Sequence, residues 1–384
     1  MIFPTLLLVF LVNVCSRPVE ADICESKAKI VCYFASWAIY RDEDGMFDTN
    51  NIDPTLCTDI IYSFAGLDIN LQIASLDTNA DINRGGLSNI TALKENNPCV
   101  KISLAVGGWG EGSIKYSVMA SSQDYRDKFA DSVLKFITYY NFDGIDLDWE
   151  YPTSRGGIAE DKDNFVVLLK TVKEKISPWG FQLSIAVGAE TIYYNIPEIY
   201  KYVDYIHIMG YDLIQSTSNV TGLSAPFTPI KASINAWLEG GTPASKLILG
   251  VPAYGHCFNL LDASDHEIGS ATTTNTCGGA YTDENGFLAY YEILLLLKNG
   301  YCDGTEVSDD TVYSWCGDEW LTYDNEETVA TKTQYVLDQS LGGVMVWSLD
   351  TDDFLGLYGN KHAIVSTIYN TINSDASLFL ENYD

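Results

Sequence analysis

The 384-residue chain has a formal net charge of −30, from 52 acidic against 22 basic residues. Charge of that sign argues against nucleic acid or an anionic membrane as partner and favours a neutral substrate over an anionic one. Aromatic residues are abundant, with 25 Tyr and 8 Trp, which suits a core and stacking on sugar rings equally.

The apolar run Thr5–Val12 is too short to cross a bilayer, and Val19-Glu20-Ala21 offers a small-residue cleavage site. A secretory leader over 1–21 is expected, leaving 22–384 as a secreted, extracellular chain. Cys15 departs with the leader. The remaining eight cysteines are an even set in an oxidising compartment, so disulfides are expected. Zinc is disfavoured by four histidines and no CxxC pair, and no metal or other cofactor is expected. Asn89-Ile90-Thr91 and Asn219-Val220-Thr221 are glycosylation sequons.

Short β-rich segments then recur at Ile30–Phe34, Asp59–Phe64, Lys101–Val106, Asp143–Trp149, Gln182–Val187, Tyr205–Met209, Leu247–Val251 and Val344–Trp347. Amphipathic stretches such as Tyr125–Tyr139 and Asn164–Ile176 lie between them. Eight alternations predict an α/β fold, a (β/α)8 TIM barrel. A doubly wound open sheet is the rival, but no GxGxxG follows the first strand. The last two strands stand about twice as far apart as most others. A small α+β domain inserted over about 253–335 is therefore expected, forming one wall of a cleft beside the C-terminal strand ends. The tail Asn373–Asp384 is acidic and expected to fray.

The fourth strand carries the chemistry. At the strand period of two, Asp146, Asp148 and Glu150 share one face and Ile145, Leu147 and Trp149 the other. Three acids on one face repel each other. If buried, they must share protons, bind a cation or perform acid–base work; a solvated acidic edge strand is the bland alternative. Polar and aromatic residues stand at the other strand ends: Tyr33 and Trp37, Phe64, Gly107-Gly108-Trp109, Met209-Gly210-Tyr211-Asp212, Tyr254, and Met345 with Trp347. An aromatic groove around an acid cluster points to oligosaccharide hydrolysis. Ordinary retaining enzymes take two carboxylates from different strands, about 5 Å apart; here the best candidates are neighbours on one strand. A hard-cation site remains a third possibility.

Asp143-Gly144-Ile145-Asp146-Leu147-Asp148-Trp149-Glu150-Tyr151-Pro152 resembles the signature of glycoside hydrolase family 18, the chitinases and chitinase-like proteins. The likeness extends through Ser103–Trp109, Met209–Asp212 and Gly342–Asp350; Glu111–Ser117 and Arg155–Gly157 look most like arthropod members. It implies a chitinase acting on chitin or N-acetylglucosamine oligomers by a substrate-assisted, retaining route. Glu150 would be the acid and later the base. Asp148 would hold the acetamido N–H, Asp146 would share a proton with it, Tyr211 would position the acetamido oxygen, and Trp347 would underlie the sugar. Tyr33, Trp37, Phe64, Gly107, Gly108, Trp109, Gly110, Tyr151, Met209, Gly210, Asp212, Tyr254 and Met345 would complete the binding surface. A monomer without a separate chitin-binding module is implied. Family members that have lost the acid act as lectins or growth factors, and a chitin-binding lectin or signalling protein with little turnover is the alternative.

Several positions depart from the pattern. Gly110 replaces the usual Asn after Gly-Gly-Trp, and Leu213–Thr217 replaces a His-Gly-x-Trp stretch on the leaving-group side. Cys32 and Cys57 match a family disulfide. A second family pair is lost at both ends, with Leu294 and about Gly359 in its place. Among the other six cysteines, Cys257–Cys277, Cys302–Cys316 and Cys24–Cys99 is one arrangement, which spacing alone does not fix.

Overall fold

Strands rich in Val, Ile and aromatic residues form where the sequence places them in the computed structural model, which describes residues 24, 26–274 and 277–374. The expected leader and residues 375–384 of the tail lie outside the described residues. The barrel strands are β1 (Lys29–Ala35), β2 (Asp59–Leu67), β3 (Lys101–Gly107), β4 (Gly144–Asp148), β5 (Gln182–Gly188), β6 (Tyr205–Met209), β7 (Leu247–Pro252) and β8 (Gly343–Trp347). Each pairs in parallel with its neighbours. β1 joins β8 through Lys29 opposite Gly343 and β2 through Val31 opposite Asp59, which closes the ring. Closure excludes the open doubly wound sheet.

Helices cover the barrel, so its strands are buried on both faces. The helices begin earlier than hydrophobic periodicity alone suggests. Gln123–Tyr139 starts where the Ser122 side chain accepts a hydrogen bond from the Tyr125 amide, and Asp161–Ile176 opens with Asp161 and Asp163 in its positive first turn. The last helix, Ala363–Asn373, is held by the buried Asp352 carboxylate, which accepts from the Ile364 and Val365 amides.

Between β7 and β8 an antiparallel sheet runs in the order Phe287–Ala289, Tyr254–Asn259, Glu319–Tyr323, Thr311–Cys316, Gly304–Ser308, with the helix Tyr290–Lys298 beside it. This sheet ends at Tyr323. Helix Glu326–Asp338, which starts within the 253–335 expectation and runs past its end, packs on β8 and the last helix. Lys332 on that helix bonds the Asp324 carboxylate at 2.6 Å and the Ala225 carbonyl at 2.8 Å, pinning the end of the insertion to the barrel.

Cys32–Cys57, Cys24–Cys99, Cys257–Cys277 and Cys302–Cys316 are joined. At the site of the missing family disulfide, a Cβ added to Gly359 would lie 3.2 Å from Leu294, so the two altered positions are spatial neighbours packed without sulfur. Among the described residues, no helix is long and apolar enough to cross a membrane.

Candidate active site

Barrel closure turns the acidic face of β4 inward. Asp146, Asp148 and Glu150 are 0 %, 3 % and 8 % exposed, while Ile145, Leu147 and Trp149 pack outward against the covering helices. The solvated edge strand is thereby excluded. The three acids form a ladder that rises from the barrel interior to the cleft.

Asp146, at the bottom, meets partners from three other strands. Its oxygens accept from the Tyr33 hydroxyl at 2.7 Å and the Ser184 hydroxyl at 2.6 Å, and His207 Nδ1 lies 3.3 Å away. Asp148 has no such provision. Its Oδ1 is buried without a hydrogen-bond partner. Burial, then the charges of Glu150 and Asp146, push its carboxyl well above the usual range.

Glu150 sits at the top, lining the cleft. Burial raises its carboxyl from the ordinary 4.5 to about 7. The charge of Asp212 adds to the rise, while hydrogen bonding from Tyr151 and the Arg155 guanidinium oppose it. A carboxyl poised there holds a proton near neutrality yet releases it readily, as an acid that must later act as base requires.

The cleft encloses about 1170 Å³. Of the sequence-predicted residues, Trp37, Phe64, Gly107, Trp109, Gly110, Asp148, Glu150, Tyr151, Met209, Tyr211, Asp212, Tyr254 and Trp347 line it. Trp37, Phe64 and Trp347 form a triangular cluster, with the Phe64 ring 6.1 Å from Trp37 and 5.6 Å from Trp347 and the two indoles 6.1 Å apart. Tyr33, Asp146, Gly108, Gly210 and Met345 lie outside the lining. Tyr33 serves Asp146 from below, and Met345 Sδ receives the Tyr211 hydroxyl at 3.7 Å. The glycines act through packing: a Cβ would meet the Phe64 ring at 2.7 Å from Gly108 and the Gly250 carbonyl at 2.6 Å from Gly210. Gly107 has φ +124°, and its Cβ would fall 2.0 Å from the Asp148 carbonyl. Only glycine lets β3 approach the acid strand so closely.

Sequence reading missed His256, whose Nε2 contacts Asp212 Oδ1 at 2.8 Å beside the Tyr254 hydroxyl. Burial alone would lower the imidazole pKa; the Asp212 bond and charge outweigh it and raise the value. It also missed Tyr193, stacked on Tyr151 at 5.1 Å, and the Arg41–Asp350 pair at 2.8 Å. None carries a sequence signal, because the two members of each pair lie far apart in the chain.

Residues 29–352 match the profile of Glycosyl hydrolases family 18. The chain belongs to this family. Probable chitinase 2 of Drosophila melanogaster is 39 % identical over 85 % of this chain and 72 % of its own length. A crystal structure of Ostrinia furnacalis Group IV chitinase superposes with TM-score 0.87 and 36 % identity, covering 90 % of this chain and all of that one. Human YKL-39, described as a pseudo-chitinase with retained chitooligosaccharide binding, superposes with TM-score 0.81 and 29 % identity, covering 90 % of this chain and all of its own. The family-18 chain is a glycoside hydrolase of the chitinase type.

On this family-18 barrel the departures fall at the mouth. Gly110 opens onto empty space, with nothing within 4 Å of the point where a Cβ would stand. Leu213, Gln215 and Thr217, from the other altered stretch, also line the cleft.

Proposed function

We propose that the chain hydrolyses β-1,4-linked N-acetylglucosamine in chitin or its oligomers with retention, using the substrate's acetamido group as nucleophile. The acetamido oxygen attacks C1 while Glu150 donates its proton to the departing glycosidic oxygen, and the C1–O bond breaks. Asp148 accepts the acetamido N–H and, by passing its proton toward Asp146, offsets the positive charge of the oxazolinium. The Tyr211 hydroxyl aligns the acetamido oxygen, and Trp347 underlies the sugar. Glu150, now ionised, takes a proton from water as the water oxygen attacks C1, reopening the ring.

One observation carries this reading: three buried carboxyls climb one strand face to an aromatic cleft, where Glu150 lines the cavity with its carboxyl raised to about 7 and Asp148, beneath it, is raised well above the usual range. Chitooligosaccharide-bound relatives support the substrate class. Four disulfides suit secretion into an oxidising space, and Asn89 and Asn219 are exposed, as glycan acceptors need to be. We take the working unit to be a monomer.

The test is hydrolysis of N-acetylglucosamine oligomers by wild type beside Glu150→Gln, with the anomer of the first product read by NMR. Turnover lost in the variant and a β-anomer first product are expected. Equal rates in both proteins, with binding intact, would mark a lectin instead. An α-anomer first product would remove the substrate-assisted route.

A further inference from the structure

We propose that Arg155 is a positioning residue that holds Trp109 as an outer sugar platform and ties that platform to the segment bearing Glu150. The inference rests on the cleft being the saccharide site. Trp109 follows β3, lines the cleft and is 58 % exposed, apart from the Trp37–Phe64–Trp347 cluster. An exposed indole next to a glycine has little to fix its ring, and Gly110 supplies no neighbouring side chain. The Arg155 guanidinium carbon lies 3.4 Å from the Trp109 ring centroid, over one face. That contact occupies one face and leaves the other to the cleft.

Arg155 is itself anchored from both sides. Its Nη1 donates to the Glu150 carbonyl at 3.2 Å, and its own carbonyl accepts from the Ser113 amide at 3.3 Å. The Ser113 hydroxyl donates to the Tyr151 carbonyl at 3.0 Å and accepts from Trp149 Nε1 at 3.0 Å. The loops after β3 and β4 are thus fastened together around the acid, with Arg155 as the link that reaches the platform. Its charge also acts on Glu150. The other titratable groups facing that carboxyl are Asp148 on its own strand, Asp212 with its partner His256, and the hydroxyls of Tyr151, Tyr194, Tyr211 and Tyr254. Arg155 is the cation among those acting on it.

The experiment compares Arg155→Met and Arg155→Lys. In a Glu150→Gln background, calorimetry should show N-acetylglucosamine hexamer binding weakened roughly 3- to 20-fold by Arg155→Met, with the dimer changed less than about twofold. Arg155→Lys should recover part of the hexamer affinity, since an ammonium cannot lie flat on the indole. In the active protein, the alkaline limb of kcat/KM should move to higher pH in Arg155→Met and stay near wild type in Arg155→Lys. Equal losses on dimer and hexamer, or an unmoved limb in Arg155→Met, would overturn the proposal. The affinity comparison needs no turnover, so an inactive wild type would sink the hydrolytic reading and leave this one still decided by binding.

Discussion

The acid that performs the chemistry should cost the fold stability, by an amount that depends on pH. Burial raises the Glu150 carboxyl from its ordinary 4.5 to about 7 in the folded chain, and unfolding returns it to the ordinary value. Between those values the folded state binds the extra proton, so stability falls as pH rises from about 4 to about 7 and then levels off. The rise from 4.5 to about 7 corresponds to roughly 3–4 kcal/mol at pH 8. Glu150→Gln removes the titration while keeping the shape. For roughly 350 folded residues the unfolding entropy is about 0.7 kcal/mol/K, so the variant should melt about 5 °C above wild type at pH 8. At pH 4, where both states of wild type hold the proton, the two should nearly coincide. Calorimetric melts at both pH values test this. A difference in Tm that is the same at pH 4 and pH 8 would refute the argument that burial raises the Glu150 carboxyl.

The same group should set the alkaline limb of kcat/KM close to pH 7, because only protonated Glu150 can donate to the leaving oxygen; a stopped assay across pH 5–9 reads it. Tyr33→Phe deletes one 2.7 Å bond to Asp146 and leaves the Ser184 bond in place, so kcat should fall on the order of tenfold with KM little changed, as initial rates on oligomers would show. Lys332→Met strands the buried Asp324 carboxylate, whose pKa burial raises against the opposing pull of Lys332. It should destabilise the chain by about 3–5 kcal/mol in denaturant unfolding, and the added change Asp324→Asn should return most of the loss.

Much of this protein was fixed by local pattern. Side chains alternate along any strand, so the period of two placed Asp146, Asp148 and Glu150 on one face before any partner was known. Eight β-rich segments separated by helical stretches led to a closed barrel, and the long gap before β8 revealed the insertion. Burial was not local. Whether the acid face met water or protein depended on β1 closing against β8, and that closure placed three similar carboxyls in different surroundings. Asp146 gained bonds from Tyr33 and Ser184, 113 and 38 residues away in the chain. Asp148 gained none at Oδ1, and Glu150 was left at the cleft with a raised pKa. Arg155 over Trp109, His256 beside Asp212 and the ends of four disulfides likewise became neighbours only through folding. Sequence determined which groups could react, because residue type and strand period are properties of the chain itself. Tertiary structure decided which partners each of them meets and raised the Asp148 and Glu150 carboxyls, because desolvation and charge–charge energies depend on distances that chain order does not record.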